Sequence, residues 1–188
     1  MSKTFYFATS NKGKFAEAKE KFRAAGLKLK RKPVDLLEIQ DDDLVKISKI
    51  SAVHLSKTFK KPFFVEDAGF FINALNGFPG PYTKYAHYHI KPKGILKLMQ
   101  GKKNRSAYFV SAIVFRDGSR EKVFKGICRG NVTHSAKGTK GFGFDPIFVP
   151  RGERKTFASD LSLKQRVSHR SLALKQLIKY LSKNYTRN

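Results

Sequence analysis

Between Thr4 and Gly26 the sequence changes its period once, from two to 3.6, and that change constrains the fold more than any other feature. Thr4 to Thr9 (TFYFAT) is a short aromatic and β-branched run that stops at Ser10-Asn11. A helical pattern follows, with Phe15, Ala18, Phe22 and Ala25 expected on one face, and Gly26 is expected to close it as the residue after the helix, where a left-handed backbone suits glycine. Leu27, Leu29 and Val34 then predict a basic strand. After Asp41 to Asp43 a second helix is expected to about Phe59, with Leu44, Ile47, Ile50 and Leu55 turned inward. Strand, helix, strand, helix is the opening of a mixed α/β sheet.

Further along, Pro62 breaks the pattern and Phe63-Phe64-Val65 reads as a buried strand ending at Glu66-Asp67. The run Asn76-Gly77-Phe78-Pro79-Gly80-Pro81 demands turns and predicts a rigid loop. Pro92 to Gln100 predicts a short helix, ended by Gly101. Ser106 to Phe115 and Lys122 to Val132, joined through Asp117-Gly118, predict a long β-hairpin. Gly138 to Gly143 is a glycine-rich loop, and Ser171 to Lys183 a closing helix with Leu174, Leu177, Ile178 and Leu181 on one stripe. With 17 Phe among 188 residues there is enough apolar material for one domain, residues 1–188, or two lobes folded as one.

Charge limits the partners. The chain carries 39 Lys and Arg against 14 Asp and Glu, a net +25, which implies anionic partners: triphosphates steered to a cleft, or nucleic acid held nonspecifically. Seven of the 14 acids (Asp35, Glu38, Asp41, Asp42, Asp43, Glu66, Asp67) lie between residues 35 and 67, the one acidic region able to hold a hard cation. The run Asp41 to Asp43 is expected to cap a helix instead. No apolar stretch is long enough to span a bilayer, Met1-Ser2-Lys3 leads directly into a strand, and the single cysteine, Cys128, excludes an internal disulfide. A soluble, cytoplasmic protein that makes no membrane contact, with an inert core thiol, is expected.

Four segments carry chemistry. Thr9-Ser10-Asn11-Lys12-Gly13-Lys14 sits where a strand meets a helix, so unpaired backbone N–H groups and two lysines favour phosphate, although the pattern is not a Walker A loop and is more often only a cap. Glu66 and Asp67 are the catalytic candidates at the strand's end. Adjacent carboxylates on an extended chain face opposite ways, so only one can face a cleft unless the strand ends between them; Asp67, beside the loop, is the choice as metal ligand or proton acceptor. Gly141-Phe142-Gly143-Phe144-Asp145-Pro146 joins a mobile turn to aromatics and a carboxylate: Phe142 or Phe144 is a stacking platform for a base, at least one of the two belongs to the core, and Asp145 is expected to be extended before its proline. Ser168-His169-Arg170, expected just before the last helix, supplies donors for a purine O6, and Asp145 an acceptor for N1–H; adenine presents the reverse pattern.

Taken together, these segments resemble the inosine triphosphate pyrophosphatase family, the non-canonical purine NTP pyrophosphatases. The likeness is carried by Thr9 to Lys14, Val65-Glu66-Asp67-Ala68-Gly69, Asn73 to Tyr82, Gly141 to Phe148, and Lys164 with Val167 to Arg170; Gly80 to Lys84 and Lys91 to Gly94 lean toward the archaeal and eukaryotic branch. The resemblance implies an elongated mixed β-sheet with flanking helices and two lobes around a central cleft, usually a homodimer, hydrolysing ITP, dITP and XTP to the monophosphate and pyrophosphate with Mg²⁺. It also implies that Thr9, Asn11 and Lys14 hold the triphosphate with Lys84 and Lys164, that Glu38 and Asp67 serve the metal with Asp67 as general base, and that Phe142, Gly143, Phe144, Asp145, His169 and Arg170 form the base pocket. One position departs: Ala68 stands where the family usually has Ser or Thr. The alternative from another class is a basic nucleic-acid-binding protein without enzymatic activity; a second enzyme alternative acts on pyrimidine or methylated nucleotides.

Overall fold

The computed structural model describes residues 3–185. Seven strands make one mixed sheet in the order β2-β1-β3-β5-β6-β7, with β4 paired to β3. The chain divides into two compact units, residues 1–67 with 111–126 and 171–188, and residues 68–110 with 127–170.

In the first unit, β1 (Thr4–Ala8) pairs in parallel with β2 (Lys28–Lys32) and with the start of β3 (Phe63–Ile72). Strand alternation sorts its side chains onto two faces. Phe5, Phe7 and Phe64 go to one face, with Ala18 and Phe22 of α1 (Lys12–Ala24) and Ala173, Leu174, Leu177 and Leu181 of α6 (His169–Tyr185). Ala8, Phe63 and Val65 go to the other, with Ala52 and Leu55 of α2 (Leu44–Ser56). Gly26, at φ 69°, ends α1 as expected, but Ala25 is exposed because the helix closes before its face returns inward. On α2 the buried stripe is Leu44, Ile47, Ser48, Ser51, Ala52 and Leu55. That is the 3.6 period drawn through two serines, and Ile50, expected inside, lies off it and is only half-buried. Asp43 caps α2, its carboxylate accepting the N–H of Val45 at 2.8 Å, so the acidic run does serve as a cap.

In the second unit, the later part of β3 pairs antiparallel with β4 (Pro79–Gly80), followed by α3 (Thr83–His89) and α4 (Lys91–Leu98). The long strands β5 (Ser106–Asp117) and β6 (Arg120–Val132) form the expected hairpin, whose residues 111–126 belong to the first unit and the remainder to the second; β7 (Phe148–Pro150) pairs antiparallel with β6, and α5 (Leu161–Val167) precedes α6. The core holds Phe70, Phe109, Phe144, Phe148 and Phe157. Three short elements, α3, β7 and α5, were not expected. In α3 only Ala86 is buried, so no apolar period exists to find.

Two boundaries correct the sequence reading. Strand β3 does not stop at Glu66-Asp67 but runs on to Ile72, because the buried Glu66 carboxylate has partners that make it tolerable inside a strand. Residues Pro79 and Gly80, expected as loop, add a short edge strand to it. No helix among the described residues is long and apolar enough to cross a membrane.

Candidate active site

The first group of candidate residues belongs to the first unit. The N–H of Asn11 donates to the Thr9 hydroxyl at 3.1 Å, and the Asn11 side-chain oxygen caps α1 by accepting the N–H of Lys14 at 3.0 Å. These bonds use the acceptor atoms of Thr9 and Asn11 and leave the Asn11 amide N–H₂ as a donor. Lys12 and Gly13 open the helix, where backbone N–H groups have no intrahelical acceptor. Ser10, Asn11 and Lys12 are exposed, and Gly13 and Lys14 half-buried, so the turn offers a donor-rich surface to an anion.

Lys14 connects this turn to the acidic pair. Its ammonium donates to the main-chain carbonyl of Glu66 at 3.2 Å and lies 3.5 Å from the Glu66 carboxylate. The other carboxylate oxygen of Glu66 accepts the Ser111 hydroxyl proton at 2.6 Å, and both side chains are fully enclosed. Because β3 remains extended, Asp67 projects to the opposite face, the face that packs on α2, and is half-buried. Its main-chain N–H donates to the hydroxyl of Ser48 at 3.1 Å, and Ser48 in turn donates to the carbonyl of Ala112 at 3.1 Å. One turn on, Ser51 donates to the carbonyl of Leu37 at 2.6 Å and pins the residue before the exposed Glu38.

Ser48, Ser51 and Ser111 were missed by sequence reasoning. The signal was present for the first two: they complete the α2 stripe, and a serine on a buried stripe must spend its hydroxyl on a partner.

Whether Glu38 and Asp67 suit a metal follows from their chemistry. Both offer oxygen only, and among the described residues no three or more His, Cys, Asp or Glu side chains gather as a closed cage. Mg²⁺ needs no such cage; it binds one or two carboxylates, keeps several waters and takes substrate phosphates, so the oxygen donors of Glu38 and of Asp67 are of the type it takes.

The second group belongs to the second unit. Asp145 is 3% exposed, and its Oδ2 accepts the N–H of Phe142 at 2.8 Å and the ammonium of Lys164 at 2.6 Å. Lys164 lies on α5, whose cap Asp160 accepts the N–H of Leu163 at 3.1 Å. The Ser162 hydroxyl and then that N–H hold the Asp160 carboxyl down at about 2. The Lys164 ammonium sits 4.0 Å from the centroid of the Phe142 ring and the Arg170 guanidinium 5.6 Å from it, while 36% of Phe142 remains exposed. Gly141, at φ 78°, has no room for a side chain: an added Cβ would overlap Asp145 Oδ2.

This geometry decides between the two phenylalanines. Phe144 is buried against Phe70, ring centroids 5.4 Å apart, and cannot stack on a base; Phe142 presents its ring. Two further expectations are corrected. Asp145 is not extended but opens a 3₁₀ turn, Asp145–Ile147, because turn bonds from Asp145 N–H to Phe142 and from Ile147 N–H to Phe144 outweigh the bias of the following proline. His169 and Arg170 do not precede the last helix but form its first residues, and both are buried, His169 with its ring stacked on Phe109 at 4.8 Å. Lys164, expected with the triphosphate, is joined to Asp145 and Phe142. Lys84 is exposed on α3, next to Thr83, whose hydroxyl accepts the N–H of Phe70 at 2.7 Å and donates to Gly80 at 2.6 Å. Gly143, at φ 66°, provides the turn between Phe142 and Phe144.

The sequence pattern of the Ham1 family matches residues 5–180, from β1 into α6. This chain belongs to the Ham1 family. Its relatives include a dITP/XTP pyrophosphatase of Saccharolobus solfataricus, 44% identical over 95% of this chain and 93% of that protein, and one of Thermococcus kodakarensis, 42% identical over 95% and 97%. Among solved structures, a HAM1 protein from Coxiella burnetii superposes with a TM-score of 0.84 at 27% identity, over 96% of this chain and 99% of that one. The family inferred from the motifs and the α/β fold expected with it are those of the Ham1 proteins.

Proposed function

We propose that this Ham1-family chain hydrolyses dITP and XTP, with ITP, to the monophosphate and pyrophosphate, removing non-canonical purines from the nucleotide pool. The observation that carries the reading is the division of labour in the acidic pair of β3. Glu66 is enclosed and bound to Lys14 and Ser111, whereas Asp67, on the other face, is half-buried with its main chain held by Ser48. A half-buried carboxylate on a main chain tethered by Ser48, in the same unit as the donor-rich start of α1, suits water attack on a phosphoanhydride.

In the reaction, the water oxygen bonds to a phosphorus of the α–β anhydride, the bridging P–O bond breaks, and the water proton goes to Asp67. Thr9, Ser10, Asn11, Lys12, Gly13 and Lys14 hold the phosphates through N–H, hydroxyl and ammonium donors. Glu66 orients Lys14 for that task. Glu38 and Asp67 would hold Mg²⁺, whose chemistry when bound is to neutralise phosphate charge and acidify water. Phe142 is the stacking platform for the base; His169 and Arg170 supply donors for O6, so adenine would leave them mispaired. The protein acts in the cytoplasm as a homodimer.

The experiment is pyrophosphate release from dITP, ITP, XTP, GTP and ATP with Mg²⁺, with Asp67→Asn as control. Preference for dITP, ITP and XTP, lost in the variant, is expected. No release from any nucleotide would overturn the reading.

A further inference from the structure

We propose that the open edge of the sheet at β2 binds the backbone of a single-stranded nucleic acid without reading its sequence. Strand β2 is the end strand of the sheet, and its residues Lys28, Lys30 and Lys32 pair with Thr4, Tyr6 and Ala8 of β1. Ala8 and Tyr6 belong to the α2-side cluster, whereas Leu29 packs with the α1 and α6 cluster. Alternation therefore puts the three lysines in one row on the α2 side.

A second basic segment meets this row. Helix α2 stops at Ser56, and the chain then presents the exposed Lys57, Lys60 and Lys61. The two segments share an aromatic floor: the rings of Tyr6 and Phe59 lie 5.2 Å apart edge to face, with Lys61 Nζ 5.5 Å above Tyr6 and Lys32 Nζ 5.6 Å above Phe59. No acid occurs in the sequence between Glu20 and Asp35, or between Asp43 and Glu66, so both segments lack their own carboxylates.

Six lysines gathered this way repel one another, a cost that disappears when an anion bridges them. Along a strand, alternate residues are about 6.6 Å apart, which suits a repeating row of phosphates better than one small anion. The half-buried rings are capped by ammonium groups, which suits a phosphate backbone beside an aromatic platform and leaves no apolar anchor for a lipid surface. None of Lys28, Lys30 or Lys61 is assigned to hydrolysis.

The test is fluorescence anisotropy of labelled oligo(dT) and its RNA counterpart with the whole chain across a salt series. The wild type should bind both, and Lys28→Ala with Lys30→Ala and Lys61→Ala should weaken binding about tenfold or more and lower the salt slope by about 2, roughly 0.7 per lysine for a single strand. Pyrophosphate release should not change. Replacing Lys175, Lys179 and Lys183, exposed on α6, by Ala removes the same charge and should leave the slope close to wild type. Absence of wild-type binding, equal losses from both triple variants, or binding to anionic vesicles but not to either oligonucleotide would overturn the proposal.

Discussion

The hydroxyl of Ser48 accepts the main-chain N–H of Asp67 at 3.1 Å and donates to the carbonyl of Ala112 at 3.1 Å, so one buried oxygen joins α2, β3 and β5 beside the proposed base. Ser48→Ala removes both bonds in a dry setting. It should cost about 1–3 kcal/mol in urea unfolding, and should lower kcat more than it raises KM, because the main chain carrying Asp67 loses a tether. Unchanged stability together with an unchanged kcat would show that the tether is not needed.

The two carboxylates of β3 should separate by variant. Asp67→Asn is expected to lower kcat by about 10²–10⁴ with the thermal midpoint preserved. Glu66→Gln should lower the midpoint, since it weakens the bonds to Ser111 and Lys14 inside the first unit. Calorimetry and pyrophosphate release on both proteins make the comparison. A fully active Asp67→Asn protein would remove Asp67 from the mechanism.

In the second unit, Asp145 and Lys164 are a buried ion pair at 2.6 Å. Removing one partner leaves the other charge enclosed, so Asp145→Ala or Lys164→Met should each cost about 3–5 kcal/mol. The double variant should cost clearly less than their sum. Additive losses in denaturant titration would contradict a direct pairing.

At Gly141 the left-handed backbone and the overlap of an added Cβ with Asp145 Oδ2 act together. Gly141→Ala should displace that carboxylate from the Phe142 N–H and raise KM for dITP. An unchanged KM would separate the Phe142 turn from base binding. Arg170→Ala should weaken dITP more than ATP; equal losses would mean that Arg170 does not read the base.

Acid sensitivity should come in part from the α5 cap. The carboxyl of Asp160 falls from 3.8 to about 2 on folding, through Ser162 and the Leu163 N–H. A lowered folded value contributes stability above the unfolded pKa and loses it as pH falls through the folded one, so this contribution should fade between about pH 4 and 2. Asp160→Asn should flatten the unfolding curve in that window; an identical acid profile would remove Asp160 as a contributor.

Much of this was legible in one dimension because it depends on local periods. The switch from alternation to a helical repeat at Ser10, the glycine stop at Gly26, the hairpin around Gly118 and the leucine stripe of α6 are each written in neighbouring residues. Short elements such as α3 and β7 were not, since a few residues with little buried surface leave no period to read. Glu38 entered only by resemblance, because nothing local separates it from Asp35.

What the sequence by itself determined was the α/β order, the basic charge, the acidic pair and the aromatic-glycine turn, all properties of residue type and short spacing. Tertiary structure decided which member of each pair does what. Glu66 is enclosed because Ser111, 45 residues away, reaches it, and Phe144 is core while Phe142 is exposed because Phe70 lies against the former. Asp145 is neutralised by Lys164, 19 residues on. Such choices rest on burial and on partners distant along the chain, and desolvation acts only once the chain has folded.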